Sequence, residues 1–137
     1  MTVAEKERAL LEELAVFPDP QERLAHLVRR SGRGPVLSPE EQVPGALVPG
    51  CVSRVWMTAS LDGGRCRFRV AADSPMVLGL MRLLCDLYDG ATPEDVVASE
   101  SDLLSRSGLD RHLSPTRRQG LSHARARLRA LAAAWLE

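Results

Sequence analysis

The stretch "RVWMTASLDGGRCRFRV", residues 54–70, sets the architecture. Val55, Met57, Ala59 and Leu61 fall at every second position, and after them Cys66, Phe68 and Val70 alternate with Arg65, Arg67 and Arg69. Period two sends one set of side chains to a buried face and the other to solvent. Asp62-Gly63-Gly64 between the runs supplies residues that tolerate the backbone angles of a tight turn, so the spacing predicts an antiparallel hairpin. Just upstream, Ala46 to Val48 reads as a short third strand before Cys51.

Either side of this sheet the pattern is helical. Thr2-Val3-Ala4-Glu5 is a capping box, followed by Leu10, Leu11 and Leu14 at helical spacing and a stop at Pro18. Asp19-Pro20-Gln21-Glu22 opens a second helix with Leu24, Leu27 and Val28 on its apolar stripe and Gly32 at its end. Residues 32–46 hold three Gly and three Pro and read as an irregular, ordered loop. After the hairpin, Asp73 or Ser74 caps a helix from Pro75 whose Leu80, Met81, Leu84, Leu87 and Tyr88 are too apolar for an exposed element. Thr92-Pro93 starts a short helix, Ser101 to Ser107 makes another, and Ser114-Pro115 caps the longest. Leu121, Ala124, Leu128, Leu131 and Trp135 line one face of that last helix. Helices, a small antiparallel sheet, then helices give an α+β fold with a three-stranded sheet.

The 137 residues are most simply one domain, 1–137, with 45% hydrophobic and 26% charged residues. Net charge is zero, so neither nucleic acid nor an anionic membrane is signalled. The charge is uneven: six acidic against two basic residues in 1–22, and six arginines against one glutamate in 111–137. Two solvated helix faces account for this. No apolar run reaches the ~18 residues of a membrane span, the acidic N-terminus lacks a signal-peptide pattern, and three cysteines suit a reducing compartment. The expected location is cytoplasmic.

No phosphate loop, nucleophile elbow or paired-cysteine metal spacing occurs. Cys66 occupies an apolar strand position and Cys85 the apolar face of a helix, so both read as small buried hydrophobes. Cys51 follows Pro49-Gly50, a bend able to hold a sulfur where another molecule reaches it, and the residues alone leave a structural and a reactive role both open. Arg54 is three positions on. His26 and His123 fall on charge-rich helices as surface residues. His112, before the last cap, reads as a local hydrogen-bonding group and the stronger histidine candidate beside Cys51.

"VPGCVSRVW", residues 48–56, resembles the Val-Pro-Gly-Cys-Gln-Ser-Gln-Val-Trp signature of the SufE family of cysteine desulfuration proteins. "ADSPMVLGLMRLL" at 72–84, "YDGATPEDV" at 88–96 and "LDRHLSPTRRQGL" at 109–121 extend the likeness in the right order, from about Asp19 onward. The resemblance implies a fold shared with iron–sulfur scaffold proteins of the IscU type. It also implies a sulfur carrier whose Cys51 accepts persulfide sulfur from a PLP-dependent cysteine desulfurase of SufS type and relays it to an iron–sulfur scaffold or another acceptor. Such a protein is a sulfurtransferase component that stimulates its desulfurase. It binds no cofactor or metal of its own, since the PLP belongs to the partner.

By the same resemblance Gly50, Ser53, Arg54, Asp73 and Arg117 position the cysteine loop or meet the partner, Asp73 by tying the loop down and Arg117 by bracing it. Val52 and Arg54 replace the signature's two glutamines, and Leu78 replaces a lysine before Gly79. These departures bear on which partner is served: a dedicated desulfurase, or a pathway other than cluster assembly. An accessory activator that carries no sulfur and a cluster scaffold are the alternatives.

Overall fold

The computed structural model describes residues 2–31, 37–50 and 53–137. Eight principal elements follow one another: α1 (Val3–Ala15), α2 (Pro20–Ser31), β1 (Val55–Asp62), β2 (Arg65–Ala72), α3 (Pro75–Tyr88), α4 (Pro93–Ala98), α5 (Leu103–Arg106) and α6 (Pro115–Ala133). Each of α1, α3, α4 and α6 starts where a Ser or Thr side chain accepts a free backbone N–H: Thr2 from Glu5, Ser74 from Val77, Thr92 from Asp95 and Ser114 from Arg117. Ser74, not Asp73, is therefore the cap of α3.

The hairpin forms as expected, with Met57 opposite Val70, Ala59 opposite Phe68, Leu61 opposite Cys66 and Asp62, expected in the turn, opposite Arg65. Val55, Met57, Cys66, Phe68 and Val70 are buried on its inner face. Leu61 is not: it is 44% exposed near the turn, where the chain that covers this end, Gly90–Ala91, pairs with β2 instead. Cys66 donates its N–H to the Ala91 carbonyl at 2.7 Å and accepts from Gly90 at 2.8 Å, while Phe68 N–H meets the Asp89 carboxylate at 3.1 Å. That loop closes the outer edge of β2 against stray pairing.

The third strand is a correction: among the described residues the sheet has two strands. Pro44–Ala46 winds into a 3₁₀ turn, and the segment then touches β1 through a single bridge, Leu47 to Trp56, and one bond from Val48 N–H to the Val55 carbonyl. Pro49 follows at once and has no N–H to continue a ladder. A strand needs a run of donors, and the two prolines leave room for one rung.

Helix α3 is the hub. Ten of its fourteen residues are buried, and it packs against α1, α2, α6 and β2. Gly79 lets α2 come close: a Cβ there would meet the Leu27 carbonyl oxygen at 2.9 Å. Each fully buried Leu of this core, such as Leu27, Leu80, Leu83, Leu87 and Leu128, contributes about 1.5–3 kcal/mol of burial free energy. Polar links close the periphery. Buried Glu7 on α1 accepts from Ser101 Oγ, Asp102 N–H and Arg106, and Arg30 on α2 bridges Glu13 and Asp86. No helix among the described residues is long and apolar enough to cross a membrane.

Candidate functional site

Cys51 and Val52 lie outside the described residues, so the site is built from what flanks them. On the upstream side Val48 is buried and bonded to Val55, which anchors the chain just before the exposed Pro49 and Gly50. Gly50 has φ +82°, a conformation an L side chain adopts only at a cost. On the downstream side Arg54 and Asp73 make a reciprocal pair: Arg54 N–H donates to the Asp73 carboxylate at 3.2 Å, and Asp73 N–H donates to the Arg54 carbonyl at 3.1 Å. Asp73 is free for this because Ser74 does the capping. Both ends of the cysteine segment are thus held by backbone bonds.

Next to Ser53, α3 and α6 form a recess. Val77, Leu80, Met81 and Leu121 give it an apolar floor, while Ser53, Thr116 and Arg117 stand at its rim and Gly120 leaves one wall low. Its volume is about 40 Å³, enough for a small group and far below the few hundred Å³ of a metabolite pocket. Arg117 reaches the recess from the first turn of α6, whose N-terminus Ser114 fixes. Arg54 itself is exposed, with its guanidinium 5.8 Å from the Trp56 ring centroid. Of the departures from the signature, Leu78 is half-buried against the core, and Val52 is not described.

The other two cysteines are free and sealed in. Burial pushes the Cys66 thiol up to about 11, with the carboxylates of Asp89 and Glu94 adding to it. Burial raises the Cys85 thiol further still. Neither supplies a thiolate near neutral pH.

Of the two histidines expected at the surface, His123 is exposed and His26 is not. His26 is half-buried, bonded to Glu13 at 2.8 Å and stacked on Phe17 at 4.6 Å, which makes it a packing residue. His123 is exposed as expected, and its ring lies against Gly50. One turn on, Arg127 donates to the Gly45 carbonyl at 3.1 Å, so the α6 face runs along the loop that carries the cysteine. The only trace of this in the sequence is the spacing of Gly120, His123 and Arg127 at helical intervals of three and four. Among the described residues no group of three or more His, Cys, Asp or Glu side chains is placed to hold a metal ion.

A family model described as SufE, Fe-S metabolism associated domain, matches residues 8–132. The chain belongs to the SufE family. It is 30% identical over 111 residues to an uncharacterized SufE-like protein of Synechocystis sp., a match spanning 81% of this chain and 70% of that one. It is also 38% identical over 89 residues to a chloroplastic quinolinate synthase of Oryza sativa and 31% identical over 102 residues to that of Nicotiana tabacum. Those matches take up 64% and 73% of this chain but only 12% and 14% of the two enzymes. A solution structure of a hypothetical protein from Thermus thermophilus superposes with a TM-score of 0.79 at 26% identity, covering 96% of both chains. The SufE fold is therefore present over nearly the whole length.

Proposed function

We propose that this SufE-family protein is a sulfur carrier that accepts persulfide sulfur on Cys51 from a cysteine desulfurase and passes it to iron–sulfur assembly. The observation that carries the reading is the contrast among its cysteines. Cys66 and Cys85 are buried with raised thiol pKa values, whereas the segment bearing Cys51 is tethered at both ends beside a small apolar recess.

The chemistry is thiol–persulfide exchange. The Cys51 thiolate attacks the terminal sulfur of the partner's cysteine persulfide. A new S–S bond forms as the partner's breaks, and the partner cysteine leaves as a thiolate. No oxidant or reductant is consumed, because one sulfane sulfur has only changed hosts. The same exchange run onward delivers it to the next acceptor. A recess of this size beside the loop suits a sulfur or two sheltered from water, not a bound metabolite. In this reading Asp73 keeps the loop's downstream end fixed, Arg117 borders the recess, and the protein holds no PLP.

The matches to quinolinate synthases favour a second reading of the sulfur's destination: a SufE-like segment is matched within those enzyme chains, and in this reading the carrier serves a dedicated acceptor instead of cluster assembly. The test is incubation with the host desulfurase and cysteine, followed by peptide mass mapping. A gain of about 32 Da, the mass of one sulfur atom, is expected on the Cys51 peptide. Sulfur mapped chiefly to Cys66 or Cys85 overturns the carrier assignment. Desulfurase stimulation that survives Cys51→Ala without sulfur transfer assigns an accessory role instead.

A further inference from the structure

A second depression lies across Leu121 from the recess beside Ser53, and Leu121 lines both. It opens between α6, the C-terminal half of α3 and residues 101–104, with a volume of about 130 Å³. Buried Leu84, Leu87, Leu103 and Leu121 give it an apolar floor. That is room for a molecule of a few carbons, not for a nucleotide or a drug-sized ligand.

Both walls are held in place. On one, Arg125 Nε donates to the phenol oxygen of fully buried Tyr88 at 3.0 Å. Behind the other, buried Glu7 accepts from Ser101 Oγ at 3.1 Å and from Asp102 N–H at 3.0 Å. The charges on these walls are not matched within the chain. Arg118 and Arg125 line the α6 side, on a helix with five arginines and no acidic residue. Their hydrogen bonds go to neutral oxygens, the Asp110 carbonyl at 3.4 Å and the Tyr88 hydroxyl. Asp102 lines the opposite side, and among the described residues none of the three belongs to an ion pair. Two guanidiniums and one carboxylate around a small apolar floor, unpaired with one another, complement a zwitterion.

We propose that this cleft binds a small aliphatic α-amino acid. Arg118 and Arg125 take its carboxylate, Asp102 takes its ammonium, and its side chain lies on the leucine floor. Ser122, exposed on α6 between the two arginines, adds a hydroxyl on the carboxylate side. With Nε fixed on Tyr88, the Arg125 guanidinium is ordered before the ligand arrives, which lowers the entropic cost of binding. Nothing in this site depends on sulfur acceptance, so the two readings stand or fall separately.

Titration of the full chain with L-2-aminobutyrate, followed by two-dimensional amide NMR, tests it. Saturable shifts are expected at residues 102–104, Ser122 and Arg125, with half-saturation at millimolar concentration, the range expected of so small a ligand. Arg118→Gln, at an exposed position that leaves the Tyr88 bond intact, should weaken binding about tenfold, and Arg125→Gln at least as much. Asp102→Asn should weaken aminobutyrate by a similar factor and leave butyrate, which has no ammonium group, unchanged. Shifts that stay linear without saturating overturn the site. Saturation at full strength in Arg118→Gln puts the ligand elsewhere and overturns it as well. Butyrate held as tightly as aminobutyrate by the wild type overturns the assignment to an amino acid.

Discussion

The hairpin–α3 core and the segment from Val48 to Arg54 treat a thiol in opposite ways. Cys66 lies under a loop that bonds to its own backbone, and Cys85 lies on the central helix with neighbours on every side. Both are buried and both thiols are pushed up. The flanks of Cys51 instead combine exposure at Pro49 and Gly50 with tight backbone bonds at Val48 and Arg54. A core makes sulfur inert by keeping water and charge away.

The sharpest way to break this contrast is to move the sulfur. Cys51→Ser is expected to fold normally and to accept no persulfide at all. Cys85→Ser should still accept it while losing about 1–3 kcal/mol of stability, the usual cost of a hydroxyl buried without a partner. Urea titration and persulfide mapping on the same preparations check both. Persulfide formation lost equally in the two variants would erase the distinction between loop and core.

Gly50→Ala attacks the tether. Its φ of +82° strains any L residue, and a methyl group there would push the exposed His123 ring aside. Strain of about 1–2 kcal/mol is expected to lower sulfur acceptance by roughly tenfold. Global stability changes by no more than that, because the loop lies outside the core. Single-turnover transfer from a loaded desulfurase is the measurement, and wild-type rates would show that the loop conformation is unimportant.

The pH response sharpens the same contrast. The folded state holds the Cys66 thiol at about 11 against an ordinary 9.0, so the unfolded chain loses that proton first as pH rises. Stability from this group is complete below about pH 9 and declines through pH 11, and Cys85 acts in the same direction. Denaturant midpoints from pH 7 to 11 should fall, and Cys66→Ala should fall less steeply above pH 9. A wild-type midpoint that stays flat over this range would mean the core thiols are not sealed.

The smallest effect is expected at Arg54. Its side chain is an exposed charge beside the acceptor segment, and charges at an interface rim tune association rate and partner choice more than chemistry. Arg54→Gln should change stimulation of one desulfurase relative to another by a few-fold, in a salt-dependent way, with acceptance on Cys51 intact. Coincident curves for both variants with both desulfurases would remove Arg54 from partner selection.

Much of this was legible in the chain. Period-two alternation around Asp62-Gly63-Gly64 gave the hairpin, Ser-Pro and Thr-Pro pairs gave the helix starts, and "VPGCVSRVW" gave the family. These signals are local: each depends on residues within a few positions of one another, where backbone sterics and alternation act directly. The third strand misled because Ala46 to Val48 is apolar enough to pair, while the flanking prolines limit it to one rung. Leu61 misled because alternation reports a face and not how far along the strand that face stays covered.

Sequence alone determined that there would be a hairpin, a buried apolar helix after it, and a cysteine at a Pro-Gly bend. Tertiary structure alone decided which side chains stand around that bend. Asp73 reaches Arg54 across nineteen residues, and the ring of His123 meets Gly50 from a helix seventy-three positions away. Such contacts are set by how α6 and α3 pack under the sheet. No periodicity encodes them, because the chain distance between the partners carries no information about the angle at which two helices cross.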